Sequence, residues 1–189
     1  MEALLTSILL VAVAEIGDKT QLLSFVLAAR LRKPWAIISG ILLATVLNHA
    51  LAGAVGSLLA GWVSAGTLSW VVGLSFIAFG LWALHPDALG DAPRLHESGA
   101  FVTAFVAFFV AEMGDKTQLA TVALAARFDA LTTVVIGTTI GMMAANVPAV
   151  WVGEKLADRI PTKAVRLLAA TLFILFGAAS LWSAFRTAQ

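Results

Sequence analysis

The 189-residue sequence contains no cysteine, which excludes disulfides and thiolate metal ligands and leaves the redox compartment undetermined. Charge is scarce as well: Asp, Glu, Lys and Arg make up 12% of the chain against 60% hydrophobic residues, and the net charge is +1. So small a net charge says little about partners, and no nucleic-acid partner is expected. Long polar stretches are missing too. A mean hydropathy of +0.95 is more apolar surface than a soluble core of this size can bury, and almost nothing is left for a soluble domain. The start, Met1-Glu2-Ala3-Leu4, carries no basic leader, and Glu15 interrupts the apolar run that a cleaved signal needs. The first segment is therefore expected to be retained as a helix.

What is present is a set of six long apolar segments, near 3–29, 35–61, 67–85, 99–127, 131–153 and 163–184. A helix needs about 20 mostly apolar residues to cross a bilayer, so the expected fold class is an all-α polytopic membrane protein with six transmembrane helices. The longest polar stretch, His85 to Ser98, holds Pro86, Gly90 and Pro93 and reads as a linker, with His85 and His96 as solvated loop residues.

The chain repeats itself. At an offset of 97, Val13 to Arg30 matches Val110 to Arg127 at 13 of 18 positions, and the same offset pairs Gly40 with Gly137, Gly56 with Gly153, Phe76 with Phe173, Phe79 with Phe176 and Gly80 with Gly177. Two three-helix repeats, 1–85 and 99–189, joined by a linker at 86–98, are the simplest reading. An odd number of spans per repeat turns the second upside down relative to the first, about a pseudo-two-fold axis in the membrane plane. That architecture is characteristic of transporters, although a channel or scaffold can also be built on it.

Lysine and arginine near helix ends give the orientation. With the N-terminus outside, Arg30, Arg32, Lys33, Arg94, Lys155, Arg159, Lys163 and Arg166 gather inside, and only Arg127 and Arg186 lie outside. Both termini are therefore expected outside and the linker in the cytoplasm. Trp35, Trp62, Trp82 and Trp182 sit near span ends as interfacial anchors.

The strongest match in the repeat is charged: Ala14-Glu15-Ile16-Gly17-Asp18-Lys19-Thr20-Gln21-Leu22 and Ala111-Glu112-Met113-Gly114-Asp115-Lys116-Thr117-Gln118-Leu119. An ionisable group at the centre of a spanning helix costs roughly 2.5 to 3.5 kcal/mol, so such groups are rare without a function. On a continuous helix Glu15, Asp18 and Gln21 share one side, as do Glu112, Asp115 and Gln118. An in-plane axis would bring the two stripes face to face, with four carboxylates converging at mid-depth.

Carboxylates, amides and hydroxyls suit hard or borderline cations such as Mg²⁺, Ca²⁺ and Mn²⁺. Glu15, Asp18, Gln21, Glu112, Asp115 and Gln118 are thus the candidate metal ligands. Thr20, Ser24, Thr117 and Thr121 are close enough to add hydroxyls, although Ser24 would face away from Glu15 on an ideal helix. Four carboxylates with Lys19 and Lys116 sum to −2, which one divalent cation balances. Lys19 and Lys116 stand four residues after Glu15 and Glu112, the favourable order for an intrahelical ion pair.

Gly17 and Gly114 permit either close helix packing, the favoured reading, or a break in the helix. Asn48 and His49 in one repeat and Asn146 in the other add mid-depth polarity. His49 is either a hydrogen-bonded core residue or a proton or metal ligand. Pro148 removes the hydrogen bond to the Ala144 carbonyl. The pairs Gly40/Ala44 and Gly137/Gly141 are expected to let their helices pack closely.

With the doubled Glu-x-Gly-Asp-Lys-Thr-Gln pattern, six spans and a short central loop, the chain resembles the Golgi and bacterial manganese/calcium exporters, cation/proton exchangers related to a human congenital glycosylation disease. The resemblance covers essentially the whole chain. It implies two inverted three-helix repeats, export of a divalent cation, and essential acids at Glu15, Asp18, Glu112 and Asp115. Eukaryotic members carry longer N-terminal regions and central loops, and this compact chain resembles the bacterial manganese exporters.

The function expected is export of Mn²⁺ or Ca²⁺ across the bacterial inner membrane by alternating access, as a monomer or homodimer, with the lipid bilayer as its surroundings and no resident cofactor. Protons would return on the same carboxylates, because buried and mutually facing carboxylates hold protons more tightly than in water. The rival reading is a passive divalent cation channel selecting through an acidic ring. An intramembrane aspartyl protease is disfavoured, since its Gly-x-Gly-Asp pattern has Glu15 or Glu112 in place of the first glycine. The chain is expected to be a secondary transporter rather than an enzyme.

Overall fold

The computed structural model describes residues 1–85, 99–152 and 162–187. The expected linker at 86–98, with Arg94 and His96, lies outside them, as do Gly153, Lys155 and Arg159. All regular structure among the described residues is helical: α1 Glu2–Glu15, α2 Lys19–Leu31, α3 Pro34–Trp62, α4 Ala65–Ala83, α5 Ala100–Glu112, α6 Lys116–Phe128, α7 Leu131–Val152 and α8 Thr162–Thr187. Four of these contain a stretch long and apolar enough to cross a membrane, namely Pro34–Trp62, Gly66–Ala83, Leu131–Val152 and Leu167–Arg186.

The segments expected as the first and fourth spans are each cut in two, which corrects the reading of Gly17 and Gly114 as packing glycines. Gly17 has φ +78° and Gly114 φ +77°, a left-handed conformation that costs an L side chain roughly 1–2 kcal/mol. On either side, Ile16 and Met113 leave their helices extended, and Asp18 and Asp115, also extended, begin the next helices as N-caps. A Cβ at Gly114 would meet nothing within 4 Å. Glycine is there for its backbone, and no neighbour requires it to be small.

Close packing falls instead on the glycines of α3 and α7. A Cβ at Gly40 would lie 2.6 Å from the Phe101 carbonyl and 3.0 Å from Ala104, and one at Gly137 would lie 2.9 Å from the Leu4 carbonyl and 2.7 Å from Ser7. Phe101 and Ala104 stand 97 residues after Leu4 and Ser7. The contact of α3 with α5 is thus repeated by that of α7 with α1, and the close approach expected of these small residues is seen.

α1 packs against α6 and α2 against α5, so the two broken segments run antiparallel with their breaks side by side. α4 lies along α8, where Phe76 meets Phe173 at 5.7 Å and Phe176 at 4.7 Å between ring centroids. One apolar cluster joins α1, α4, α6 and α8, and a second joins α2, α3 and α5 with Val150 of α7.

The distribution of polarity is that of a lipid-facing protein. On α3, Leu43, Leu47, Leu51 and Leu58 are exposed while Thr45, Asn48 and His49 are buried, which suits a solvent of acyl chains and an interior that must satisfy polar groups. Trp35, Trp62, Trp82 and Trp182 are all exposed.

Candidate cation site

The two breaks build one centre. Glu15 and Glu112 are the last residues of α1 and α5, Asp18 and Asp115 cap α2 and α6, and all four are buried. One carboxylate oxygen from each of Glu15, Glu112 and Asp115 lies within 4.8 Å of the others. Three of the four acids expected to converge thus lie together, and not by the continuous stripe expected, because Glu15 and Asp18 belong to different helices.

The lysines pair across the repeats. Lys19 Nζ stands 2.8 Å from Asp115 Oδ1, and Lys116 Nζ is hydrogen-bonded to Asp18 Oδ1. The intrahelical pairs expected with Glu15 and Glu112 give way to this crossed arrangement. The break removes the helical turn that would have placed Lys19 over Glu15, and a lysine at the first position of a new helix reaches the capping aspartate opposite.

Hydroxyls fill part of the glutamate coordination. Thr20 Oγ1 donates to Glu15 Oε2 at 2.5 Å, and Thr117 Oγ1 donates to Glu112 Oε2 at 3.1 Å and Asp115 Oδ2 at 3.4 Å. The second oxygens, Oε1 of Glu15 and of Glu112, are buried without a hydrogen-bond partner. A buried acceptor without a donor is costly, and a bound cation removes that cost.

Gln21 and Gln118 hold the breaks in shape. The Gly17 N–H donates to Gln21 Oε1 at 2.8 Å and the Gly114 N–H to Gln118 Oε1 at 2.6 Å, close relatives of a capping box. Their amide nitrogens then tie the break to the neighbouring long helix: Gln21 Nε2 donates to the Ala145 carbonyl at 2.9 Å, and Gln118 Nε2 to Asn48 Oδ1 at 3.4 Å. Asn48 in turn donates to the Phe109 carbonyl at 3.1 Å.

Four expected auxiliaries lie one layer out. Ser24, which is buried, donates to Asn146 Oδ1 at 2.7 Å, and Asn146 donates to the Met142 carbonyl at 3.0 Å. Thr121 donates to the Thr117 carbonyl of its own helix at 2.8 Å. His49 is fully buried, and neither ring nitrogen has a hydrogen-bond partner. It is thus not the hydrogen-bonded core histidine of the plainer expectation.

The crossed pairing and the role of the glutamines went unread in the sequence. Their signal is nonetheless there, since Asp18-x-x-Gln21 and Asp115-x-x-Gln118 have the spacing of a helix N-terminus.

A family model described as the divalent cation/proton antiporter GDT1 matches the chain twice, over residues 3–91 and 100–188. The chain belongs to the GDT1 family. Its relatives include a protein of Vibrio cholerae named "Putative manganese exporter", 49% identical over 95% of this chain and 90% of that protein. A GDT1-like protein of Synechocystis is 31% identical over 97% of this chain and 98% of its own length. No solved structure gives a significant match. The family is described as one of divalent cation/proton antiporters, which are membrane transporters.

Proposed function

We propose that this chain exports a divalent cation, Mn²⁺ before Ca²⁺, across the bacterial inner membrane in exchange for protons. The observation that carries the proposal is the cluster of Glu15, Glu112 and Asp115, drawn from both breaks and holding two buried carboxylate oxygens without donors. Glu15, Asp18, Glu112 and Asp115 are the proposed ligand set, with Thr20 and Thr117 orienting the glutamates. The cation binds where four acids face two lysines, and its departure leaves carboxylates that take up protons. Gln21 and Gln118 contribute by keeping the breaks open rather than by direct ligation.

The architecture proposed is six spans in two inverted repeats, 1–85 and 99–189, with a cytoplasmic linker at 86–98 and both termini outside. Each broken segment, α1 with α2 and α5 with α6, is one span. The double family match, the antiparallel course of the broken segments and the repetition of the α3/α5 contact by α7/α1 support it. Broken helices meeting at mid-depth are a recurring way to expose backbone and side-chain ligands in transporters.

The test is Mn²⁺ and Ca²⁺ flux into proteoliposomes with an internal pH indicator. Exchange requires metal flux in one direction and proton flux in the other, lost at least tenfold in Asp18→Asn and Asp115→Asn. Metal flux that neither moves protons nor responds to an imposed pH gradient would establish the passive channel instead.

A further inference from the structure

We infer that the carboxylate centre is open to water here on the α2/α5 side and closed on the α1/α6 side, and that the α4/α8 pair is the gate that exchanges the two. The inference rests on the proposed inverted repeat and extends it to a state and a moving part.

The offset of 97 maps α1 onto α5, α2 onto α6, α3 onto α7 and α4 onto α8. Most helix contacts obey this mapping, but those of the α4/α8 pair do not. α4 packs on α6 and α8 packs on α1, whereas the mapped contacts, α8 on α2 and α4 on α5, are not among the packed pairs of the described residues. The apolar clusters show the same imbalance. The cluster containing α1 and α6 includes Val72 and Phe76 of α4 and Ala169 and Phe173 of α8, and among the described residues the cluster containing α2 and α5 includes none of either.

Matched residues consequently have unequal surroundings. Val13 is partly buried against the first cluster while its counterpart Val110 is 63% exposed, and Ala126 is buried while its counterpart Ala29 is exposed. The lysines decide what covers the open side. The Lys116 side chain is 4% exposed and that of Lys19 is 26% exposed, yet both stand at the breaks, half way along their segments. An ammonium bared at that depth to hydrocarbon carries a heavy cost and is tolerated facing a water-filled cavity. The α2/α5 side is thus a hydrated crevice reaching Lys19 and Asp115, and its far end carries the exposed Arg30, Arg32 and Lys33. In the proposed orientation that end is cytoplasmic, so this is the state that loads the cation from the cell interior.

Because the two repeats are interchangeable in this frame, the outward state follows by exchanging their roles. The α4/α8 pair leaves α1 and α6 and settles on α5 and α2, covering Val110, Ala29 and Lys19 and baring Val13, Ala126 and Lys116. The Phe76, Phe79, Phe173 and Phe176 contacts within the pair move with it as one body.

The native chain has no cysteine, so single thiols can be read without background. In proteoliposomes without metal, Val110→Cys and Ala29→Cys should react with a water-soluble maleimide at least tenfold faster than Val13→Cys and Ala126→Cys. The ratio should fall or invert under Mn²⁺ turnover against a pH gradient. Equal rates within matched pairs, or a ratio unmoved by turnover, would overturn the inference. A second measurement uses Val72→Cys/Ala123→Cys and its counterpart Ala169→Cys/Val26→Cys with a short, reducible bifunctional thiol reagent. The first pair should cross-link at rest and the second only during turnover, each stopping Mn²⁺ flux until reduced; flux that persists through complete cross-linking would refute the gate. Absence of flux in unlinked wild type would instead refute the transporter reading, while the labelling at rest reports independently on which side is open.

Discussion

Lys19 and Lys116 occupy identical places in the sequence repeat, yet their ion pairs differ in environment. Lys116 and Asp18 form a buried pair, and breaking such a pair from one side costs roughly 3 to 5 kcal/mol, because an uncompensated charge is left inside. Lys116→Met should therefore lower thermal stability in detergent markedly. Lys19→Met should lower it less, since water reaches that pair and softens the loss. Equal destabilisation of the two variants would contradict the unequal burial. At the acids, Glu15→Gln and Glu112→Gln should abolish metal binding while leaving the fold nearly as stable as wild type, because each replaces an acceptor lacking a donor with a neutral isostere. Which acids matter was legible in the sequence, since charge in an apolar run is conspicuous. Which lysine meets which acid was not, because the pairing depends on a break that helical spacing cannot represent.

For the elements, the breaks explain what hydropathy missed. Reading for about 20 mostly apolar residues joins those on both sides of Gly17, and only the local signals, glycine followed by an aspartate cap and a glutamine three residues later, mark two helices. Gly114→Ala should cost about 1–2 kcal/mol if the break persists, and straightening the helix instead would carry Asp115 away from Lys19. In either case Mn²⁺ flux should fall more steeply than the melting temperature, and an Ala variant with full flux would show that the left-handed turn is dispensable. Gly137→Val tests the opposite kind of glycine. A Cβ there meets the Leu4 carbonyl and Ser7 within 3 Å, so overpacking should cost about 1–3 kcal/mol in melting experiments, with the cation site affected only through α1. The small-residue contacts of α3 and α7 were legible beforehand because small residues at helical spacing have few other uses in lipid.

At the scale of the whole molecule, metal binding and proton release are two readings of one charge balance. Ligating carboxylates must be deprotonated, so adding Mn²⁺ to the purified protein in weakly buffered solution should acidify it. Apparent affinity should weaken as pH falls, and Asp115→Asn should release fewer protons. Binding without any pH change would separate the two ions and remove the basis of exchange. The all-helical membrane fold was legible from composition, and the duplication from one offset. The unequal seating of α4 and α8 was not, because a sequence repeat specifies what the two halves share and is silent on how one conformation divides them.

The crossed pairs carry one further consequence. Lys19 reaches Asp115 and Lys116 is bonded to Asp18, so each half offers one base and one capping acid and receives the same in return. That is the reciprocity of an isologous interface, in which one surface is complementary to itself. In the proposed inverted arrangement, each half of this chain is thus charge-matched to the other by the rule that would hold a dual-topology homodimer together. Each lysine reaches an aspartate of the other half, so the crossed pairs form only where two such halves meet.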